Sequence, residues 1–445
     1  MIVILTDAAT PRHRYIFRYL LRTFCGTDCS FREASSGEIF SPSEHVINYM
    51  DAPILGAFHV KPNGLLSETV MPSAPDLVLR TDACPFFYPC QDADFHFDVF
   101  AASFYLLSRA EEYHGHHPDA FGRYHHIHSL AFRNGWIDLP LIDIWMSDFR
   151  KALALTFPSL TIGSPAFEFQ PSYDVDIAWA FRARDWSRSI WGICKSLYQG
   201  KFRDVIKRLN VIRGVMPDPY DCYARLDQLH AAYGLTPVYF FLMASRLKGV
   251  DRNLDPGRKD IQSLVRRHAD AYSIGLHPSW QSGDDEHIFR VEKERLEHII
   301  GRRVNSSRQH YLRMQLPDTY HRLIAEGITD DYSMGYGAIN GFRASISRPF
   351  PWYDLLAECE TSLRVHPFCF MDATAFHEQG LSPVDALRQL ECYLKVVRDV
   401  GGCMSTIFHN SMLGTDPMYV GWHELYLRFL QQVAAGPTSS FHLAP

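Results

Sequence analysis

From Phe167 onward, short apolar or β-branched runs alternate with helix-patterned stretches, and no other feature restricts the fold of this chain as much. Seven strand candidates stand out: FEFQPSYDVD, TPVYFFLM, YSIGLHPS, NSSRQHYL, ITDDYSMGY, SLRVHPFCF and MSTIFHN. Between them lie DCYARLDQLHAAYG, KDIQSLVRRHADA, EHIFRVEKERLEHIIG, DTYHRLIAEG, WYDLLAECE and SPVDALRQLECYLKVVRDVGG, and WHELYLRFLQQVAA closes the series. Strands joined through helices pair in parallel, so residues 166–445 are expected to form a seven-stranded (β/α) barrel.

The ionisable residues fall at the C-terminal ends of these strands: Asp174 and Asp176, His277, Arg308 and His310, Asp330 and Asp331, His366, and His409. In a (β/α) barrel that rim carries the chemistry. Side chains alternate along a strand, so Asp174 and Asp176 share a face. Two carboxylates that close repel, and a divalent cation between them is the natural relief. His277 and His310 come from neighbouring strands. Two histidines and one carboxylate with an open position make a hydrolytic metal site, which lowers the pKa of a bound water. The other aspartate is then free to act as base, with Arg308 orienting it, and His409 can protonate a leaving group. His366 precedes Pro367 and is expected to be structural.

This order resembles the NodB-type polysaccharide deacetylases, carbohydrate esterase family four, over residues 166–445. That family has a distorted (β/α)7 barrel and five ordered motifs. Ser172-Tyr173-Asp174-Val175-Asp176 resembles the first, with a spacer between aspartates that are adjacent in the family. Gly275-Leu276-His277-Pro278-Ser279-Trp280-Gln281 resembles the second, but Gln281 stands where a second metal histidine is expected. Arg308 occupies the place of the arginine that braces the base, and the extra His310 is proposed to replace the missing ligand. Asp330-Asp331-Tyr332 takes the place of the fourth motif, with Asp331 tuning the catalytic histidine, and Ile407-Phe408-His409 that of the fifth. The runs YDVDIAW, IGLHPSW, SRQH, DYSMGY, GFRA and FHN resemble a bacterial subgroup with a long N-terminal extension.

The resemblance implies hydrolysis of an acetyl group from an N- or O-acetylated glycan or glycan precursor. Asp174 would be base and His409 acid. Asp176, His277 and His310 would hold a divalent metal: zinc first, with cobalt, manganese or nickel as alternatives. Arg343, Trp280, Tyr332 and Trp352 would bind the sugar. Two other possibilities stay open: a catalytically dead glycan-binding barrel, given Gln281, and an amidase acting on a non-sugar amide.

The first 165 residues read differently, as a smaller mixed α/β domain without an assignable role. Ile2 to Leu5 is a buried first strand rather than a signal peptide. Helices are expected over His13–Thr23, over Phe97–Tyr113 as an amphipathic helix, and over Leu141–Leu155. Residues 161–165 form a linker. The six histidines between His114 and His128 are expected on the surface. The whole chain has 445 residues and a net charge of −6, which speaks against a nucleic-acid partner. Its ten cysteines contain no CxxC pair, which fits reduced thiols in a cytoplasmic protein. No apolar run reaches the length of a membrane span. The basic stretch from Arg182 to Arg213, with Trp186, Trp191 and Tyr198, reads first as a solvated face or a lid over the barrel mouth. A peripheral membrane helix or a groove for an anionic glycan are its alternatives.

Overall fold

Five consecutive buried residues, Ile2–Thr6, form strand β1 at the centre of a parallel sheet. The computed structural model describes residues 1–33, 40–41, 44–75, 78–81, 84–183, 186–245, 247 and 249–436. β1 lies between β2 (Cys29–Glu33) and β3 (His45–Asn48), and β4 (Phe58–His59) follows β3. The helix Pro11–Leu20 crosses from β1 to β2, with Thr10 capping its start and proline in its first turn, where a missing N–H costs nothing. A hairpin, β5 (Val78–Thr81) and β6 (Cys84–Phe87), precedes the helices Val99–Leu107 and Leu141–Thr156. Every residue of Val99–Leu107 is buried, so the expected amphipathic helix is apolar on all sides. Its Phe104 packs edge-on against Tyr353 of the larger sheet, which removes the solvent face that an amphipathic helix needs.

That larger sheet has nine strands. In chain order they are β7 (Glu168–Val175), β8 (Val238–Leu242), β9 (Ser273–His277), β10 (Ser306–Ser307), β11 (Asp330–Asp331), β12 (Phe350–Asp354), β13 (Cys359–Val365), β14 (Phe370–Met371) and β15 (Cys403–His409). They lie in the order β12-β13-β11-β10-β9-β8-β7-β15-β14, all parallel except β12. Arg308, one residue past β10, lies 2.7 Å from Asp174 on β7, three strands away. Flat, three strand spacings would span about 14 Å. The sheet therefore curls so that its strand ends face a common centre.

The seven expected strands are present, and the distorted barrel expected of them is, among the described residues, a curled sheet that does not close. Among the described residues no ladder joins β13 to β14. Pro367 splits the run SLRVHPFCF there, because proline has no N–H to continue the ladder. The segment after β11 crosses at the gap: Phe368 N–H donates to the Met334 carbonyl and Gly341 N–H to that of Cys369. Gly341 (φ 140°) passes so close to the N-terminal part that a Cβ would lie 2.7 Å from the Ile137 carbonyl oxygen. The stretch WYDLLAECE, expected as a helix, is instead the β12–β13 turn. Phe350, Trp352 and Tyr353 favour a strand, and Glu358 turns in the left-handed region (φ 51°).

The two parts of the chain share one continuous buried core. Ion pairs and hydrogen bonds cross between them. Arg343 pairs with Glu112 at 2.5 Å, and Ser347 Oγ donates to Asp143 at 2.7 Å.

Candidate active site

Strand β7 sorts its residues by alternation. Tyr173 packs with Tyr239 and Tyr426 on the outer side, while Ser172 and Asp174 point inward. Asp176 lies just past the strand end and faces the same cavity as Asp174. Arg308 ties the inner face together. It is fully buried and donates to Asp174 Oδ1, Ser172 Oγ and the Tyr332 carbonyl at 2.7, 2.7 and 3.0 Å. Its guanidinium lies 4.2 Å from the Phe240 ring. Gly275 makes room for that ring, since a Cβ there would sit 2.3 Å from it.

Asp176, His277 and His310 form a group whose ligand atoms all lie within 4.8 Å of one another. His277 Nδ1 lies 2.6 Å from the Arg308 carbonyl oxygen, and His310 Nδ1 lies 3.0 Å from Asp251 Oδ1. A ring nitrogen facing an oxygen acceptor carries its hydrogen there, so in each neutral imidazole Nε2 bears the lone pair. Both Nε2 atoms face Asp176 Oδ1, at 3.2 Å from His277 and 3.8 Å from His310. That oxygen is buried and has no hydrogen-bond partner. Three acceptors converging on one point need a cation. Metal bonds of about 2.0–2.2 Å would put neighbouring ligand atoms about 3.4 Å apart in a tetrahedron, so the residues fit a divalent ion.

The electrostatics of the cluster show the same demand. Burial opposes charge on Asp176, yet His310, His277 and His409 hold its carboxyl well below the usual range. Burial likewise works against a charged His310, but Asp176 and Asp251 push it up to about 9.

His409 closes the cluster from β15, with Nε2 3.7 Å from Asp176 Oδ2. Its Nδ1 lies 2.6 Å from Asp372 Oδ1, and its backbone N–H donates to the other oxygen of that carboxylate at 2.7 Å. Burial opposes protonation of His409, but Asp372, followed by Asp176 and Asp174, drives it up to about 10. His409 is thus oriented and held protonated.

These groups line a cavity of about 500 Å³. Its wall includes Tyr311, His377, Glu378 and Tyr419, and also Phe121 and Arg123 from the N-terminal part. Phe121 stacks on Tyr311 at 4.9 Å, and Arg123 is held by Asp119 at 2.6 Å.

Several expected roles need correction. Asp331 does not reach His409. It accepts from Ser333 and Tyr320, and Asp372 takes the position beside the histidine. None of the four expected sugar contacts lines the cavity. Arg343 is buried and its guanidinium is engaged by Glu112 and the Gly335 carbonyl. Trp352 is fully buried against Tyr320. Tyr332 stacks on His366 at 4.1 Å, and Trp280 is covered by Arg313 at 3.8 Å. Gln281 donates to Asp251 at 3.1 Å, on the carboxylate whose other oxygen faces His310. His366 is held by Asp330 at 2.8 Å.

Sequence reasoning missed Asp372, Asp251, Phe121 and Arg123. Asp372 directly follows strand residues, but that strand, Phe370–Met371, is too short to show a pattern. Asp251 sits in a loop turn, and Phe121 and Arg123 arrive from the other part of the chain, so no local pattern marks them.

Residues 2–158 match a family described as being of unknown function, DUF7033. No curated protein matches the chain. The solved structures that this chain is similar to include a protein from Mycobacterium smegmatis provisionally assigned as a polysaccharide deacetylase. It has 17% identity, covers 61% of this chain and 85% of its own, and gives a TM-score of 0.38. An allantoinase has 12% identity, covers 61% and 84%, and gives 0.38. A polysaccharide deacetylase from Bacillus cereus has 10% identity, covers 63% and 95%, and gives 0.31. Likenesses this loose assign no activity to the chain.

Proposed function

We propose that this chain is a metal-dependent hydrolase that removes an acetyl group from an acetylated carbohydrate. The observation that carries the hydrolase is Asp176 Oδ1, buried, without a hydrogen-bond partner and faced by two imidazole Nε2 atoms. The motif order of residues 172–176, 277, 308 and 407–409 supports the acetyl-carbohydrate substrate.

A divalent ion held by Asp176, His277 and His310 would polarise the acyl carbonyl and acidify a water. Asp251 and the Arg308 carbonyl accept at the two Nδ1 atoms and so fix the imidazoles with Nε2 inward, which sets ring orientation and raises ligand basicity. Asp174 takes the proton of the attacking water. Arg308 keeps the Asp174 carboxylate in place and directs one oxygen away from the cavity, leaving the other to act. His409, oriented by Asp372, delivers its proton to the departing amine or alcohol. Phe121 and Tyr311 offer stacked rings at the cavity wall against which an apolar sugar face can lie.

Metal analysis of the purified protein, with acetate release from acetylated oligosaccharides before and after chelation, tests this. One bound divalent ion and chelator-sensitive acetate release are expected. A protein that binds no divalent ion would overturn the hydrolase. One that binds metal and releases acetate only from simple amides would overturn the carbohydrate substrate.

A further inference from the structure

The helices Trp186–Tyr198 and Phe202–Ile212 leave unusual side chains in water. Of twenty large apolar side chains exposed among the described residues, nine lie between Ile190 and Met216. Trp191 is 66% exposed, Tyr198 94%, Phe202 63% and Ile206 58%. On the first helix, Ile190, Trp191, Cys194, Leu197 and Tyr198 recur at three- and four-residue spacing, so they form one stripe. Single exposed apolar residues are ordinary, but a concentrated patch marks something that covers it.

Charge narrows the occupant. Residues 190–216 hold six lysines and arginines and one carboxylate, Asp204, in a chain whose net charge is −6. A second copy of this chain would bring the same cations against them. The cores of protein interfaces are depleted in lysine, whereas Lys195, Lys201 and Lys207 are interleaved with the apolar residues here. Lysine stems can lie along apolar surface while their ammonium groups stay at a polar boundary, and Lys195 Nζ already lies 5.2 Å from the Trp191 ring. Tryptophan and tyrosine beside aliphatic residues, ringed by cations, is the composition of a helix lying in the face of an anionic bilayer. Among the described residues no helix is long and apolar enough to cross a membrane.

We infer that the helical pair of residues 186–216 docks this protein onto an anionic lipid surface. Docking there has a geometric consequence. The same helices wall a cleft of about 750 Å³ through Trp191, Lys195 and Arg208. Ile177, Gly249 and Arg252 line both that cleft and the cavity holding Asp176. The docked surface would therefore present the site to molecules carried at the bilayer. The inference does not depend on the hydrolase function.

Co-sedimentation of the full chain with vesicles tests it, using phosphatidylcholine alone and phosphatidylcholine mixed with phosphatidylglycerol. The protein is expected to pellet with the anionic vesicles only, and less so at high salt. Lys201→Ala and Lys207→Ala are each expected to lower the partition coefficient about fivefold. Trp191→Ser combined with Ile206→Ser is expected to abolish pelleting. These positions are exposed, so circular dichroism and the melting temperature are expected to match the parent. Three results would overturn the inference: no pelleting with anionic vesicles, pelleting unchanged in the Trp191/Ile206 variant, or sedimentation of the lipid-free protein as a dimer that this variant dissociates.

Discussion

His409 Nδ1 lies 2.6 Å from Asp372 Oδ1, and the same carboxylate takes the His409 backbone N–H at 2.7 Å. Two bonds to one side chain fix both the rotamer and the tautomer of the imidazole, leaving Nε2 to the cavity. Asp372 is the strongest influence raising the His409 pKa against burial, to about 10. A general acid must be protonated, so activity is expected to fall as pH rises through the His409 pKa, which Asp372 holds above the ordinary histidine value. Asp372→Asn is expected to move this alkaline limb to lower pH, whereas His409→Ala removes the limb and costs about 10²- to 10⁴-fold in kcat. The pH dependence of kcat/KM for acetate release checks both. A limb unmoved in Asp372→Asn would exclude His409 as the acid. Stability carries the same sign. The raised pKa contributes stability fully present below the ordinary histidine value near 6.5 and lost as pH rises through about 10.

Metal uptake is expected to expel a proton. In the ion-free protein burial disfavours charge on His310, but Asp176 and Asp251 push it up to about 9, so it is protonated at pH 7.5. A cation bound at Nε2 must displace that proton. Calorimetric titration of the chelated protein with zinc, in buffers of different ionisation heat, is expected to show at least one proton released per ion. His310→Gln is expected to release fewer and bind more weakly. Equal heats in all buffers would place the metal elsewhere.

Asp174 is separable from the metal. It is bound to Arg308 at 2.7 Å and stands 3.8 Å from His277 Nε2, outside the three-ligand group. Asp174→Asn is expected to keep the bound ion and lose about 10²- to 10⁴-fold in kcat. Metal content and turnover, measured on the same preparation, decide this. Loss of the ion would make Asp174 a ligand rather than a base.

What the sequence disclosed follows from where each signal is stored. Asp174, Asp176, His277, Arg308, His310 and His409 all sit at or just past strand ends, and strand periodicity is local, so one pass along the chain finds them. Asp372 also follows a strand, but Phe370–Met371 is only two residues long and lies behind Pro367, too short for a pattern. The role given to Asp331 failed for a related reason. Its register is correct, but Ser333 and Tyr320 hold its carboxylate, and such contacts are not written in spacing. A cation and an aromatic run near a rim suit a sugar, and that is all the local sequence around Arg343 and Trp352 displays. The burial of Arg343 depends on how the N-terminal part packs against the sheet, through a contact between residues 231 positions apart, and Trp352 is covered by Tyr320. Strand β12 was hidden because the alternation of Phe350–Asp354 is interrupted by Pro351 and both faces are covered.

The fate of Arg343 gives the remaining prediction. Its guanidinium donates to both oxygens of Glu112, at 2.9 and 2.5 Å, and Arg109 adds a bond at 2.8 Å, all within buried side chains. Burial would raise the Glu112 pKa, but Arg343 and Arg109 hold it down at about 2. A depressed carboxyl contributes stability that is present above its ordinary value near 4.5 and lost as pH falls through about 2. Arg343→Met leaves a buried carboxylate with one cation instead of two, and removing one partner of a buried pair costs about 3–5 kcal/mol. The variant is expected to lose close to that in urea denaturation, with the loss partly recovered by adding Glu112→Gln. KM for acetate release per folded molecule is expected to stay unchanged, because Arg343 does not line the cavity. A variant of parental stability with a raised KM would instead return Arg343 to the substrate.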